Sequence, residues 1–319
     1  MIRGRWAPSP TGLLHVGSAR TALTAWLSVR SQGGVFIWRT EDLDSDRVVR
    51  DAEHEAMEDL RWLGLDWDEG PDVDGPGGPF RQSQRIPVYD RALARLYESE
   101  FLFPCSLSRA DVREAVSAPE GNGLAYPAHL RPSVVRPDWF ENPIAEESVR
   151  FRVDPGLVTF EDRLFGQVST DVSSETGDFV LKRKDGIYAY QLAVVVDDAA
   201  MGITEVVRGA DLIDSTPRQI LLYRALGEQP PAFGHIPIAV SPDGDKLSKR
   251  HNSLTIRSLR DSGVDPGDLC GYLAWTLGLI EQRRPIQPRE LVAAFAWESL
   301  TRDRLIVPNS LVDILNGLQ

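Results

Sequence analysis

Residues 3–27 read RGRWAPSPTGLLHVGSARTALTAWL. "GRWAP" has the make-up of a short strand entering a turn at "SPTG". Ala19, Ala22, Leu23, Trp26 and Leu27 then recur at helical spacing, and Gly33-Gly34 supply a stop. "VFIWR" follows as a buried strand, so roughly the first 40 residues predict one βαβ unit, the start of a parallel α/β sheet. A helix that begins after a strand and a turn aims free backbone N–H groups and a partial positive charge at whatever stands before it. Phosphate is the usual guest. The chain carries neither G-x-x-x-x-G-K-[ST] nor G-x-G-x-x-G, so the two commonest phosphate loops are missing. In their place Pro8, Pro10 and Gly12 stiffen the turn, His15 can donate to a phosphate oxygen, and Gly17 leaves the helix end open to a flat base. Alone, H-x-G-S also fits a decorated helix start with a surface histidine.

The 319 residues suffice for two or three modest domains, and 42% hydrophobic content predicts an ordinary folded core. No apolar run reaches the ~18 residues of a membrane span, and the start lacks a secretory h-region. Two distant cysteines, Cys105 and Cys270, suit a reducing cytosol, and a cytoplasmic location with no membrane partner is expected. A net charge of −12 argues against a protein that coats nucleic acid through a basic surface, while leaving room for a local basic groove.

Further along, "RVVRDAEHEAMEDLRWLGL" and "RIPVYDRALARLYESE" read as helices. From Phe101 to Gly177 Pro and Gly are frequent, with β-like runs at "SVRFRV" and "LVTFED". We therefore expect an α/β domain whose first half covers 1–100 and second half 178–254, split by an inserted α+β subdomain over 101–177, and a small helical region over 255–319. "YQLAVVV" is apolar enough to predict a central strand, and the Asp197-Asp198 pair after it a solvent-facing strand end. "STPRQILLYRALG" predicts a helix with Thr216 as N-cap, Pro217 in its first turn and Gln219 completing a capping box. Cys270, in "LCGYLAWTLGL", reads as core, and His235 has no evident partner.

A second constellation gives the first its meaning. "GDKLSKR" places Lys246 and Lys249 in a polar loop, where they can bring mobile positive charge to a phosphate whose charge grows in a transition state. Read singly this is a solvated basic loop. Both motifs in this order, about 230 residues apart, are far more specific.

Together they resemble the His-Ile-Gly-His and Lys-Met-Ser-Lys-Ser signatures of class I aminoacyl-tRNA synthetases. "RWAPSPTGLLHVGSARTAL", "WRTEDLD", "RQSQR", "YAYQLAVVVDD", "VVRGADLIDSTPRQ" and "KLSKR" resemble, more narrowly, the glutamyl-tRNA synthetase group, collinearly over about residues 1–255. Only 69 residues follow Arg250, too few for a long helical anticodon reader, and Val194 stands where the "YxxAN" pattern has Asn. Both features resemble the paralogous glutamyl-Q tRNA(Asp) synthetase family. That resemblance implies a Rossmann-like α/β nucleotide-binding catalytic domain, its halves at 1–100 and 178–254, split by an acceptor-binding-type subdomain at 101–177. It also implies activation of L-glutamate by ATP and transfer to queuosine in the anticodon stem-loop of tRNA(Asp), by a protein expected to be monomeric.

The resemblance assigns catalysis to His15, Gly17, Lys246 and Lys249, and ATP to His15, Gly17, Ser18 and Lys249. Arg5, Ala7, Pro8, Ser9, Glu41, Tyr190 and Arg208 would surround glutamate. The chemistry agrees: Arg5 and Arg208 can pair bidentately with carboxylates, Glu41 with Ser9 can take the ammonium, and Tyr190 can close one wall. Mg²⁺ would accompany the ATP phosphates without a dedicated cage. Relatives often hold zinc in the insert through Cys-x-Cys and Tyr-x-x-x-Cys. Here Cys105 and Tyr126 stand, but Leu107 and Leu130 are not ligands; His129 is a weak substitute, and no zinc is expected. Two alternatives stay open: a truncated glutamyl-tRNA synthetase charging a tRNA 3′ end, and a non-catalytic synthetase-like regulator.

Overall fold

In the computed structural model, which describes residues 1–108, 111–112, 125–126, 128–244 and 254–317, the opening stretch is a βαβ unit. Strand β1 (Arg3–Trp6) leads through helix α1 (Val16–Arg30) to β2 (Val35–Trp38), and the two strands pair in parallel from Arg3↔Val35 to Trp6↔Trp38. The strands that follow are β3 (Leu102–Cys105), β4 (Ser148–Phe151), β5 (Leu157–Asp162), β6 (Gly166–Asp171), β7 (Phe179–Lys182), β8 (Glu205–Gly209) and β9 (Ala232–Ile236). The main sheet runs β2-β1-β8-β9-β5-β6, parallel throughout except for the final β5–β6 hairpin.

Both faces of this sheet are covered, as a parallel sheet requires. On one side α1 buries Ala19, Ala22, Leu23, Trp26 and Leu27, with Arg20 and Thr24 enclosed as well. It is enclosed because helix α8 (Pro266–Leu277) packs its Leu269, Cys270, Leu273 and Leu277 into the same core. A short parallel pair, β10 (Ala239–Val240) with β11 (Leu305–Ile306), fastens this C-terminal region to the sheet. On the other side lie α3 (Ile86–Glu98), α5 (Tyr190–Ala200) and α6 (Thr216–Ala225), whose Leu93, Leu96, Leu192, Val195, Ile220 and Leu222 share a second core with Ile37, Val206 and Phe233.

The α/β class and the sheet-borne signature stand as expected, but four readings change. "YQLAVVVDD" is helix α5, not a central strand. Every residue from Leu192 to Asp198 is buried, and a run apolar on all sides has no periodicity to separate helix from strand. Asp197 and Asp198 accordingly lie in the interior, not in solvent. At α6 the N-cap is Ser215 without a side-chain cap bond; the Thr216 hydroxyl instead accepts from Arg208 at 2.8 Å, and Gln219 donates to Gln191. Finally, the strands do not divide at 177. β5 and β6 join the main sheet, whereas β7 completes the small antiparallel sheet β3-β4-β7.

Candidate active site

The N-terminus of α1 is capped by its own histidine. His15, in extended conformation, accepts from the Ser18 backbone N–H through Nδ1 at 3.1 Å, and its Nε2 lies 3.2 Å from the Ser18 hydroxyl. Gly17 also meets a steric demand from its own surroundings. A Cβ there would stand 2.7 Å from Ala239 Cβ and 3.1 Å from the His15 ring, so the glycine lets the first turn approach β10. On the far side, Val16 N–H donates to Leu254 and Ile256 N–H to Leu14, at 3.4 and 2.9 Å. Residues 239 and 254–256 therefore bring the chain on both sides of the lysine motif against the histidine motif. Lys246 and Lys249 themselves lie outside the described residues.

A cavity of about 240 Å³ opens before this helix end, lined by Arg5, Ala7, His15, Gly17, Ser18, Glu41, Tyr190 and Arg208 among others. Eight residues selected from the sequence thus converge from β1, α1, α5, β8 and the loop after β2. Ser9 lines a larger neighbouring cavity of about 890 Å³ that shares Glu41 and Tyr190 with the first. Pro8 contributes its carbonyl, which accepts the Glu41 N–H at 3.0 Å.

Beneath the floor lies a buried ionic lattice that the sequence reading missed. Asp198 receives Arg5 at 3.2 Å and Arg39 at 2.5 Å, and Arg39 also holds Glu41 at 3.1 Å. Asp197 accepts from Arg85 at 2.6 Å, Gln82 at 2.7 Å and the Tyr89 hydroxyl at 3.0 Å. Three arginines thus face three carboxylates, which is the condition for burying such charges at all. Burial pushes the Asp198 carboxyl upward, but Arg39 and Arg5 outweigh it and hold the group below its ordinary range. For Glu41 burial wins over the same two arginines, and its carboxyl is raised. The signal was present in "WRTEDLD" and "VVVDD": charged residues inside apolar runs are buried only when paired.

Arg208 is the exception. It is 5% exposed and has no carboxylate within ion-pair distance among the described residues. Its Nε donates to His235 Nε2 at 3.0 Å, Nη1 to the Tyr190 hydroxyl at 3.2 Å, and Nη2 to Thr216 at 2.8 Å and the Leu212 carbonyl at 3.4 Å. Burial lowers its affinity for its proton, and the Tyr190 hydroxyl partly offsets this. A guanidinium remains charged regardless, so the cavity holds a desolvated cation with only neutral partners. Such a site is complementary to an anion.

In the small sheet, Cys105 Sγ lies 3.6 Å from the Tyr126 hydroxyl, which donates to the Leu130 carbonyl at 2.8 Å. The Arg150 guanidinium stacks 4.1 Å over the Tyr126 ring, and Leu107 and Leu130 pack against the cluster. Among the described residues, Cys105 and Tyr126 are spent on each other and on the Leu130 carbonyl, and Leu107 and Leu130 offer no side-chain donor, so these four positions do not fit a structural zinc.

The comparisons agree with this geometry. The family described as tRNA synthetases class I (E and Q), catalytic domain, matches residues 1–303. The chain is 47% identical to a Glutamyl-Q tRNA(Asp) synthetase of Symbiobacterium thermophilum, with 99% of each chain covered. It is 38% identical to a Glutamate--tRNA ligase of a Sulfurihydrogenibium species, covering 100% of this chain and 67% of that one. Its fold superimposes on a crystal structure of glutamate-tRNA synthetase from Elizabethkingia anophelis with a TM-score of 0.85 at 29% identity, over 99% of this chain and 70% of that one. The chain belongs to the class I tRNA synthetases of the glutamate and glutamine group. It is therefore a ligase of that class. No helix among the described residues is long and apolar enough to cross a membrane.

Proposed function

We propose that this protein activates L-glutamate with ATP and passes the glutamyl group to the queuosine base in the anticodon of tRNA(Asp). The observation that carries the glutamate part is Arg208, a buried cation with neutral partners in a cavity that also presents Arg5 and Glu41. Arg208 and Arg5 bind carboxylates of the substrate, and the Glu41 carboxylate, with Ser9 beyond it, takes the ammonium. Ala7 and Pro8 shape the wall through their backbone, and Tyr190 closes the opposite side. The His15-capped start of α1, with Gly17 and Ser18, receives the ATP phosphates. A substrate carboxylate oxygen attacks the α-phosphorus, the bond to the β-phosphate breaks, and pyrophosphate leaves. Lys246 and Lys249 supply charge to the phosphates in that step. Fixed positions and fixed charge carry most of the rate.

Mg²⁺ would accompany the ATP phosphates and offset their charge. The adenylate carbonyl is then attacked by an acceptor oxygen on queuosine, and AMP departs. The Symbiobacterium relative, matched end to end, supports that acceptor. The same reading makes the protein a cytoplasmic monomer.

Aminoacylation of purified tRNAs tests it: glutamate on queuosine-containing tRNA(Asp), released by base and lost without queuosine, is the expected result. The Sulfurihydrogenibium relative favours a second reading, glutamate placed on a tRNA 3′ end; efficient charging of tRNA(Glu) would establish that instead. Glutamate-dependent ATP–pyrophosphate exchange, abolished by Lys249→Ala, separates both from a non-catalytic regulator.

A further inference from the structure

Arg208 does not reach its orientation by itself. It sits on β8 directly across from His235 on β9, and β9 is flanked in turn by β5, which ends at Asp162. His235 is fully buried and Asp162 nearly so. The contacts form a line across three strands. Asp162 Oδ2 lies 2.6 Å from His235 Nδ1, and His235 Nε2 lies 3.0 Å from Arg208 Nε. Asp162 Oδ1 is already committed to the backbone N–H groups of Leu164 and Phe165, at 3.0 and 2.9 Å.

The protons follow from what each atom can do. A guanidinium Nε–H only donates, so His235 Nε2 must present its lone pair. Nδ1 must then carry the imidazole proton and donate it to the Asp162 carboxylate. Burial lowers the pKa of His235, Asp162 raises it, and the Arg208 charge, with Arg5 behind it, lowers it again; the net direction favours the neutral ring. Burial would raise the Asp162 carboxyl, but the bonds from His235 and the two backbone groups hold it below its ordinary value. A doubly protonated ring would set two donors, and two positive charges, against each other at 3.0 Å.

With Nε tied to His235 and Nη2 to Thr216 and Leu212, four of the five guanidinium N–H groups are used, counting the Tyr190 bond. One Nη1 hydrogen remains, on a side chain that lines the cavity. We infer that Asp162 and His235 are positioning residues for the amino-acid substrate: the carboxylate selects the imidazole tautomer, and the imidazole lone pair fixes the guanidinium plane that meets the substrate carboxylate. The inference rests on the glutamate reading above for the identity of that substrate.

Asp162→Asn is the informative change. Its Oδ1 can keep the Leu164 and Phe165 bonds and the longer one from the His235 backbone N–H, which turns the amide NH₂ toward Nδ1, drives the ring proton to Nε2 and opposes it to Arg208. A wrong-tautomer penalty of this kind corresponds to about a 10- to 100-fold effect. In ATP–pyrophosphate exchange we expect the KM for glutamate to rise by about that factor, with the KM for ATP within about twofold of wild type. His235→Ala should behave likewise, whereas His235→Gln, which can offer an acceptor near the Nε2 position, should recover most of the loss. Nitrogen NMR of the imidazoles gives an activity-independent reading: a protonated Nδ1 and bare Nε2 for His235 in wild type, reversed in Asp162→Asn.

Unchanged glutamate KM in Asp162→Asn, glutamate and ATP KM rising in parallel, or an Nε2-protonated ring in wild type would each overturn the inference. Running wild type against a panel of amino acids keeps the two readings apart. Exchange on another amino acid with the same KM split removes glutamate and keeps the positioning role.

Discussion

At the scale of the residue, Gly17 offers the sharpest case, because its role is steric and local. A Cβ on it would stand only 2.7 Å from the Ala239 Cβ. Gly17→Ala is expected to destabilise the fold by about 1–3 kcal/mol and to shift the first turn of α1, since overpacked contacts are resolved by moving backbone. Adding Ala239→Gly removes the opposing methyl and should return part of both stability and exchange activity, which thermal unfolding and pyrophosphate exchange measure together. No recovery in the double variant would place the cause elsewhere. This residue was legible in the sequence as part of a motif, but its reason was not, since the sequence does not say that β10 passes in front of it. Arg208 was legible in the same way: its type suggested a carboxylate partner. Its dependence on His235 and Asp162, 27 and 46 residues away in sequence on either side, was invisible until β5, β8 and β9 became neighbours. Pairwise chemistry can be read along a chain; third partners need the sheet order.

At the scale of the element, the helix after the lysine motif deserves a measurement. α7 (Ile256–Asp261) is fastened to α2 (Ala52–Trp62) by Arg260 to Asp59 at 2.9 Å and Arg257 to Glu55 at 2.6 Å. Asp59 is fully buried, and its Oδ2 has no hydrogen-bond partner. Burial raises its carboxyl from 3.8 to about 6, against the pull of Arg260. The folded protein therefore keeps this proton to higher pH than the unfolded chain does. Between about pH 4 and 6 the native state binds more protons, so this group lowers stability as pH rises and costs most above pH 6. Asp59→Asn, which can still accept from Arg260, should flatten that slope and raise Tm at pH 7; an unchanged slope in Tm against pH would contradict the account. Helix α5 carries the complementary lesson. Its apolar sequence predicted burial correctly and secondary structure wrongly, because complete burial erases the alternation on which the distinction depends. The aspartates at its end became the anchor of the site for the same reason: they were never near solvent.

At the scale of the whole molecule, the C-terminal region is part of the catalytic body and not an appendage to it. α8 and α1 share one core, and Arg20 of α1 donates to the carbonyls of Pro237 and Thr276 at 2.8 and 3.0 Å, tying the first helix to both. Leu273, fully buried at this junction, should cost about 2–5 kcal/mol when changed to Ala, with Tm and exchange activity falling together. If activity persisted at full Tm, the junction would not support the site. The expectation of a parallel α/β body was secure from the first βαβ unit alone. How the rest attaches to it was not, because periodicity predicts which face is apolar and says nothing about which apolar face it meets.

The hairpin β5–β6 has a practical consequence for anyone exchanging modules among these synthetases. It lies inside the stretch that composition marks as a separable insert, yet it closes the edge of the main sheet and supplies Asp162 to the Arg208 line. A graft cut at residues 101 and 177 would transplant that carboxylate along with β3 and β4 of the small sheet. By the positioning role inferred above, the graft would carry the donor's hold on Arg208 with it, through a strand two places away in the sheet. Seams placed so that 157–171 stays with its parent body leave both the sheet edge and the Asp162–His235 contact intact.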